Sequence, residues 1–361
     1  MNNKIAFIGP LPPPLGGVAV INESIQKIEF DNFQIVSFNT SAEQNRENLY
    51  AGFKLKSLKR NILLSSKLAH FIEKEQPKVI NIFVTSGLSI IRDIVFLRTL
   101  SKYRIPIIIH FHSKTKGEFA LVPWRLKIVA KYFNKYASKI ILLSDFHCAF
   151  FSKYFKPEKC TVLENFVRYS DFQNQISQKN NTFLFVGRLS KEKGFFDLIE
   201  AVNILKQKEI KCTVKVIGLA PSDLIEKEIK SMITKFQLVD YLEFKGAVFG
   251  NEKFELFKQS FCLVFPSHFE NSPVVIKEAI AAKMAILASD IQPNKNILEK
   301  HNNYLCFESE NPLALAERME SILSNKTKVI EMCEDSERIK DYDVSFAKQK
   351  LTSLFTELIN Q

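Results

Sequence analysis

No uninterrupted apolar run in the 361 residues approaches the ~18–20 needed to cross a bilayer as a helix. The six cysteines, at 148, 160, 212, 262, 306 and 333, include no C-x-x-C pair. That pattern fits reduced thiols in a cytosolic protein better than a disulfide or zinc framework. There is no G-x-x-x-x-G-K-[ST], so no P-loop, and no G-x-G-x-x-G, which disfavours a nicotinamide site. Apart from "DYD" at 341–343, no His, Cys or acidic cluster has metal-ligand spacing, and neither a metal nor another cofactor is expected. The opening stretch "MNNKIAFIGPLPPP" holds one lysine and a short apolar run ended by prolines, and does not read as a signal peptide. No nucleic-acid module is recognisable, so nucleic acid is not an expected partner. Close repeats and low-complexity segments are also missing.

What is present is apolar mass and an uneven charge. Apolar residues make up 46%, and Phe alone contributes 32. That supports two real cores at this length, and disorder is not expected. The net charge is +11, and residues 1–166 carry 24 Lys+Arg against 12 Asp+Glu, while 167–361 carry 26 against 27. The whole excess lies in the first half. A one-sided basic surface implies an anionic partner: nucleic acid, acidic lipid headgroups or a phosphorylated substrate.

Short apolar runs alternate with helix-length stretches. Strands are expected at 4–9, 33–39, 78–84, 105–112, 139–144 and 160–165, with helices at 16–28, 54–74, 88–102, 122–137 and 145–155. Residues 167–181 are polar and without period, and read as a linker. Strands then resume at 182–187, 213–218, 241–246, 262–266 and 284–289, with helices at 194–208, 222–237, 251–260, 273–283 and 311–324. Alternation of this kind predicts βαβ units, and runs without polar alternation suit parallel strands covered on both faces. The expected organisation is an N-terminal domain over 1–166, the linker, a C-terminal domain over 182–340, and a final helix in 341–361 packing back on the first domain. Three strands of the second half end in glycine, at Gly187, Gly218 and Gly246, where a chain can turn or a ligand can approach the backbone.

Several stretches could carry chemistry. "VGRLSKEKG" at 186–194 presents Arg188 and Lys193 at a strand-to-helix turn, a pair of cations suited to a diphosphate; a solvated basic turn is the plainer reading. In "ENSPVVIKEAIAA" at 270–282, Ser272 is a plausible N-cap and Pro273 a good first helical residue. The free N–H groups of that first turn, with Val274 and Val275, favour an anion. Glu270 stands just before the helix and Glu278 well inside it. Carboxylates there accept paired ribose or sugar hydroxyls, although a glutamate in a helix is most often simply solvated. "GPLPPPLGGVA" at 9–19 ends in Gly16 and Gly17 before a helix and lets backbone N–H groups approach phosphate, or merely connects strand to helix. His110 and His112 in "HFHS" are expected on opposite sides of a strand, so not to share a metal; a structural histidine is the default for each. "DYD" at 341–343 resembles a D-x-D metal pair, but reads better as a cap or a surface stretch.

Together these pieces resemble a retaining glycosyltransferase of family 4. They are the Gly-Gly loop, "HFHS", "LENFV" at 163–167, "FVGRLSKEKG" at 185–194, "VIGLAP" at 216–221, "FKGAV" at 244–248 and "FPSHFENSPVVIKEAIAAKMAILAS" at 265–289. The glutamate pair matches that family's E-x7-E motif. The resemblance implies a GT-B fold, two doubly wound Rossmann-like domains facing a cleft. It implies that Arg188 and Lys193 hold the donor diphosphate, that Gly16 and Gly17 approach it, that Glu278 takes the ribose hydroxyls and Glu270 the donor sugar. Backbone near Val248 would meet the base. His112 matches the family's histidine better than His110. The family needs no metal. The sequence departs from its pattern after 284–289, where "DIQPNKNI" replaces a Gly-rich loop.

The reading that follows is transfer of a sugar from a nucleotide-sugar donor, UDP-linked before GDP-linked, to a lipid-linked or surface glycan acceptor in bacterial polysaccharide biosynthesis. A nucleotide-sugar epimerase of the same fold is the alternative enzyme, and an inactive sugar-nucleotide-binding subunit is the alternative from another class. Lys127, Lys131, Lys135 and Lys139 recur at i, i+4 steps beside Trp124, Ile128, Tyr132 and Phe133. Residues 53–72 are likewise basic and apolar. A helix of this kind suits an anionic membrane surface, and the expected location is cytoplasmic, peripheral at the inner face of the inner membrane.

Overall fold

The computed structural model describes residues 3–12, 17–41, 55–85, 89–113, 115, 122–172, 181–299, 304–327, 329 and 342–361. The chain forms two compact units, Met1–Asn165 with Ser345–Gln361, and Phe166–Val344.

In the first unit, β1 (Asn3–Gly9), β2 (Phe33–Asn39), β3 (Val79–Thr85), β4 (Ile107–His112), β5 (Lys139–Leu142) and β6 (Cys160–Val162) form one sheet in the order β2-β1-β3-β4-β5-β6. Every pairing is parallel. The crossovers are α1 (Gly17–Gln26), α2 (Leu55–Glu75), α3 (Ser89–Leu100), α4 (Pro123–Tyr136) and α5 (Asp145–Phe151). Side chains alternate across a strand, and β1, β3, β4 and β5 are buried on both faces, which is why they read as unbroken apolar runs, while the edge strand β2 alternates with exposed polar residues. Ala6, Ile80 and Ile109 meet Leu68, Leu97 and Leu126 of α2, α3 and α4 in one core.

In the second unit, β7 (Thr182–Val186), β8 (Thr213–Ile217), β9 (Leu242–Gly246), β10 (Cys262–Phe265), β11 (Ala285–Ser289) and β12 (Tyr304–Phe307) are ordered β12-β11-β10-β7-β8-β9 and are again parallel throughout. Its helices are α6 (Phe195–Gln207), α7 (Asp223–Phe236), α8 (Gly250–Lys258), α9 (Val274–Ala281), α10 (Gln292–Leu298) and α11 (Pro312–Ser324). Phe183 and Phe185 point into the core under α6 and α11, while Leu184 and Val186 point into the core under α8 and α9. The strand β12 and the helix α10 were not expected from the sequence.

The final helix, α12 (Val344–Ile359), belongs to the first unit. Phe355 is fully buried there, with its ring 6.2, 5.8 and 5.6 Å from those of Phe7, Phe30 and Phe33. Ion pairs Lys139–Glu357 and Lys348–Asp31, each 3.0 Å, flank it. Lys139 is therefore a strand residue with a partner and lies off the basic stripe of α4, which ends at Tyr136.

Of the stretch read as a linker, 173–180 lies outside the described residues, while Phe172 is buried against Phe254 and Phe257 at 4.7 and 5.5 Å. Val167 pairs with Asp343 in an isolated parallel bridge, with Val167 N–H on Tyr342 O and Val344 N–H on Val167 O, each 2.9 Å. The two places where the chain passes between units are thus tied together.

The strand order reverses between β1 and β3 in the first sheet, and between β7 and β10 in the second. Crossovers leave in opposite directions at such a point, and the carboxyl ends of the two strands are left open to ligand.

Candidate active site

The topological switch of the second sheet places two segments side by side: 187–194, leaving β7, and 266–273, leaving β10. Their contact depends on one glycine. Gly194 has φ +66, and a Cβ there would lie 1.9 Å from the Pro266 carbonyl oxygen. No other residue fits that position. The His268 N–H donates to Glu192 O at 2.9 Å and completes the join. Gly218 serves the next strand in the same way: at φ +150, its Cβ would stand 1.8 Å from Gly187 O. Gly187 N–H donates to Ile217 O at 3.0 Å and Gly218 N–H to Gly246 O at 2.8 Å. Close approach of backbone to backbone thus accounts for Gly218.

On this frame Lys193 Nζ meets Glu270 Oε1 at 2.5 Å, both side chains largely buried. Ser267 Oγ donates to the same carboxylate oxygen at 2.8 Å. Ser267 is held in turn, since Ser289 Oγ donates to Ser267 O at 2.5 Å and Asn294 Nδ2 donates to Ser289 O at 3.0 Å. Asn294 comes from α10, the helix that stands where a Gly-rich loop was the family pattern. Arg188 is exposed, and among the described residues its guanidinium makes no ion pair or hydrogen bond. The segment therefore offers one cation already matched by a carboxylate and one free for an anion.

Beside it, His268 Nε2 lies 2.6 Å from Asp197 Oδ2. The hydrogen bond to Asp197 raises the His268 pKa above its ordinary value, against the lowering effect of burial, with Glu310 and Glu192 adding to the rise.

The α9 segment departs from expectation. Helix α9 begins at Val274, Pro273 is its cap residue with φ −70 and ψ 112, and no side chain caps it. Ser272 is buried and its hydroxyl accepts from Lys277 Nζ at 3.0 Å. Lys277, itself buried, also stacks its ammonium over the Tyr342 ring at 4.3 Å. A lysine on the inner face of the helix thus takes the hydroxyl that the capping reading needed. Val274 and Val275 are half-buried at the first turn, and Val248, after β9, is buried. Glu278 is no solvated helix residue: it is 8% exposed, with Oε1 2.5 Å from Lys253 Nζ of α8 and Oε2 buried without a hydrogen-bond partner among the described residues.

His110, His112 and Gly17 belong to the first unit, where they lie near the carboxyl edge of its sheet. Gly17 opens α1, exposed, with nothing within 4 Å of where a Cβ would stand; Gly16 lies outside the described residues. The two histidines lie on the same side of β4, contrary to expectation, because a period of two returns i and i+2 to one face. Their rings are 4.7 Å apart, and both stack on Phe83, at 4.8 and 5.7 Å. Burial pushes His110 down to about 3 and His112 well below its ordinary value, so both are neutral at pH 7. His147 explains the edge behind them. Its Nδ1 accepts the Leu143 N–H at 3.2 Å, so Nε2 carries the proton and donates to Ser113 O at 2.9 Å. Burial pushes His147 down to about 4.

Of "DYD", Asp341 lies outside the described residues, and Asp343 Oδ1 accepts the Tyr169 N–H at 3.0 Å, a turn-capping role. Among the described residues no three His, Cys, Asp or Glu side chains converge as metal ligands, and no helix is long and apolar enough to cross a membrane.

Residues 168–342 match the model of the family described as "Glycosyl transferases group 1". An uncharacterized glycosyltransferase of Methanocaldococcus jannaschii is 25% identical over 332 residues, covering 87% of this chain and 86% of its own. One of Haemophilus influenzae is 24% identical over 209 residues, 57% of this chain and 58% of its own length. The capsular polysaccharide biosynthesis glycosyltransferase CapH of Staphylococcus aureus is 24% identical over 238 residues, 64% of this chain and 63% of its own. Among solved structures, Anabaena HepE in complex with UDP and glucose superposes with a TM-score of 0.79 at 18% identity, over 98% of this chain and 99% of the other. That likeness shows the fold, two parallel-sheet α/β units of the GT-B kind.

Proposed function

We propose that this chain, whose residues 168–342 match the group 1 glycosyl transferases, moves a hexosyl group, with retention, from a nucleoside diphosphate sugar to a lipid-linked or surface glycan acceptor in bacterial polysaccharide or glycolipid assembly. One observation carries the reading: Arg188 and the Lys193–Glu270 pair stand together at the switch point of the second sheet, where a ligand of this fold class binds. CapH is named for capsular polysaccharide, and HepE was solved with UDP, which favours a UDP-linked donor over a GDP-linked one.

In this mechanism the bond between the sugar C1 and the diphosphate oxygen breaks, and the electron pair leaves with the diphosphate. Arg188 and Lys193 stabilise that charge as it grows, the largest kind of catalytic contribution in such sites. Glu270 holds Lys193 in place and lies toward the sugar. The acceptor hydroxyl oxygen bonds to C1 on the face the diphosphate left, and its proton passes to a diphosphate oxygen. The two cations take the part a metal would play, so none is needed. Glu278 receives the ribose, Gly187 leaves room for the phosphates, and the backbone at Val248 lies toward the base.

The acceptor side is the first unit, resting on anionic lipid. Helices α2 to α4 are neighbours on one face of its sheet. Their outer side exposes Leu63, Ile91, Val95, Trp124 and Ile128, with Trp124 60% exposed, among the exposed Lys127, Lys131 and Lys135. Apolar side chains interleaved with cations suit the headgroup boundary.

The test is a screen of UDP-sugars and GDP-mannose with the purified protein, following nucleotide release with and without a membrane-lipid extract. Release that requires the extract supports transfer. Sugar conversion without acceptor would point to an epimerase, and nucleotide binding without turnover to a binding subunit.

A further inference from the structure

We infer that Lys253 is a specificity-determining residue of the donor site, reading the ribose diol together with Glu278; this rests on the proposed donor site. Lys253 sits on α8 at the positions i−3 and i−4 to Leu256 and Phe257, both buried. A lysine on the inward face of a helix, near the Phe257 ring, is not placed there by solvation. Its ammonium is 2.5 Å from Glu278 Oε1, and the pair remains partly accessible, 18% of the lysine side chain against 10% of the glutamate. The ammonium is thus the outer partner. An ammonium has three donors and a carboxylate about four acceptor positions. The pair uses one of each, and among the described residues Glu278 Oε2 has no hydrogen-bond partner. A buried carboxylate oxygen left in that state is costly, and a ligand hydroxyl that donates to it relieves the cost.

A vicinal diol matches what remains. One hydroxyl donates to Oε2, and its neighbour accepts from Lys253 Nζ. The lysine stem is flexible and can shift to admit the hydroxyl to the shielded oxygen. A lone glutamate offers acceptors only and distinguishes a diol from a single hydroxyl weakly. A donor and an acceptor side by side leave a buried partner unmatched when either hydroxyl is missing, and sites of that kind reject the incomplete ligand strongly.

The test is calorimetric titration of the full chain with UDP, GDP and their 2′-deoxy forms, for the wild type, Lys253→Met and Lys253→Arg. We expect the wild type to prefer the ribonucleotide by about 10-fold or more. Lys253→Met should lose about 10-fold in affinity for the ribonucleotide while binding the deoxynucleotide within about 3-fold of wild type, and Lys253→Arg should restore most of the preference. Unchanged or tighter ribonucleotide binding by Lys253→Met would overturn the inference, since Lys253 would then be only a counter-ion. Equal loss of both nucleotides in a variant that still unfolds cooperatively would overturn it too. If no nucleotide binds the wild type, the donor-site reading itself fails, a result distinct from the others.

Discussion

The two units carry the same kind of parallel sheet, yet their carboxyl edges are electrically opposite in design. At the edge of the second sheet, formal charges are buried in matched pairs: Lys193 with Glu270, Lys253 with Glu278, His268 with Asp197. At the edge of the first, three histidines are stripped of charge by burial, and among the described residues Lys127, Lys131 and Lys135 of α4 are exposed. The contrast shows that a shared topology fixes where a ligand can enter and leaves the electrostatics to a few side chains. One edge keeps formal charges in pairs, and the other keeps its imidazoles neutral.

The largest expected break in this contrast is Lys193→Ala. Removing a transition-state donor costs on the order of 10²–10³-fold in turnover, and Arg188→Ala should lose at least about 10²-fold. Steady-state rates on whichever donor the screen selects decide it; near-wild-type rates in both variants, folded by circular dichroism, would remove the diphosphate role. Next in size is the outer surface of the first unit. Changing Lys127, Lys131 and Lys135 together to Glu should cut partition onto phosphatidylglycerol vesicles about 10²-fold at low salt, since each cation contributes about 1 kcal/mol. Binding that persists, or that ignores phosphatidylglycerol content, contradicts a lipid-facing first unit. A smaller effect sharpens the division within the second unit. Glu278→Gln should lower nucleotide affinity about 10-fold and change the catalytic rate little, whereas Glu270→Gln should chiefly lower the rate.

The smallest expected effect is acid sensitivity. His110 and His147 have folded pKa values below the ordinary one, so their neutral forms favour folding above about pH 6.5. The unfolded chain takes up protons first as pH falls, and stability declines from about pH 6.5 toward about 4. Each should contribute about 1 kcal/mol of loss between pH 7 and 5.5. His268, raised, has the opposite sign: its contribution is present below about pH 6.5 and fades as pH rises through its folded pKa. Hydrogen exchange followed by unit checks this. Protection in β4 that stays constant from pH 7 to 5 would contradict the burial of uncharged imidazoles.

Much of the fold was legible because parallel strands covered on both faces announce themselves as apolar runs; β1 and β7 fell within a residue of their predicted bounds. β12 escaped because Tyr304–Phe307 is a short apolar run set between the polar stretches 299–303 and 308–311, and α10 because Gln292–Leu298 carries a proline at its second position and reads as a loop. Within the site, Lys193, Glu270 and Glu278 were legible from motif and position. Their partners were not. Lys253 and Lys277 look like surface lysines in one dimension, and only the packing of α8 and α9 turns them inward. Ser267, Asn294 and the His268–Asp197 pair use common residue types far apart in the chain, so no local pattern marks them. The misplacement of His110 against His112 came from misapplying the strand period.

The bridge between Val167 and Asp343 has a consequence for how the protein is made. The second unit begins and ends at the two sides of one isolated bridge, so it is an uninterrupted stretch of message whose two ends already touch. The first unit is not: Phe355, seated among Phe7, Phe30 and Phe33, is translated after all of the second. On the ribosome the unit that starts first must therefore finish last, holding an open aromatic pocket while the later unit folds.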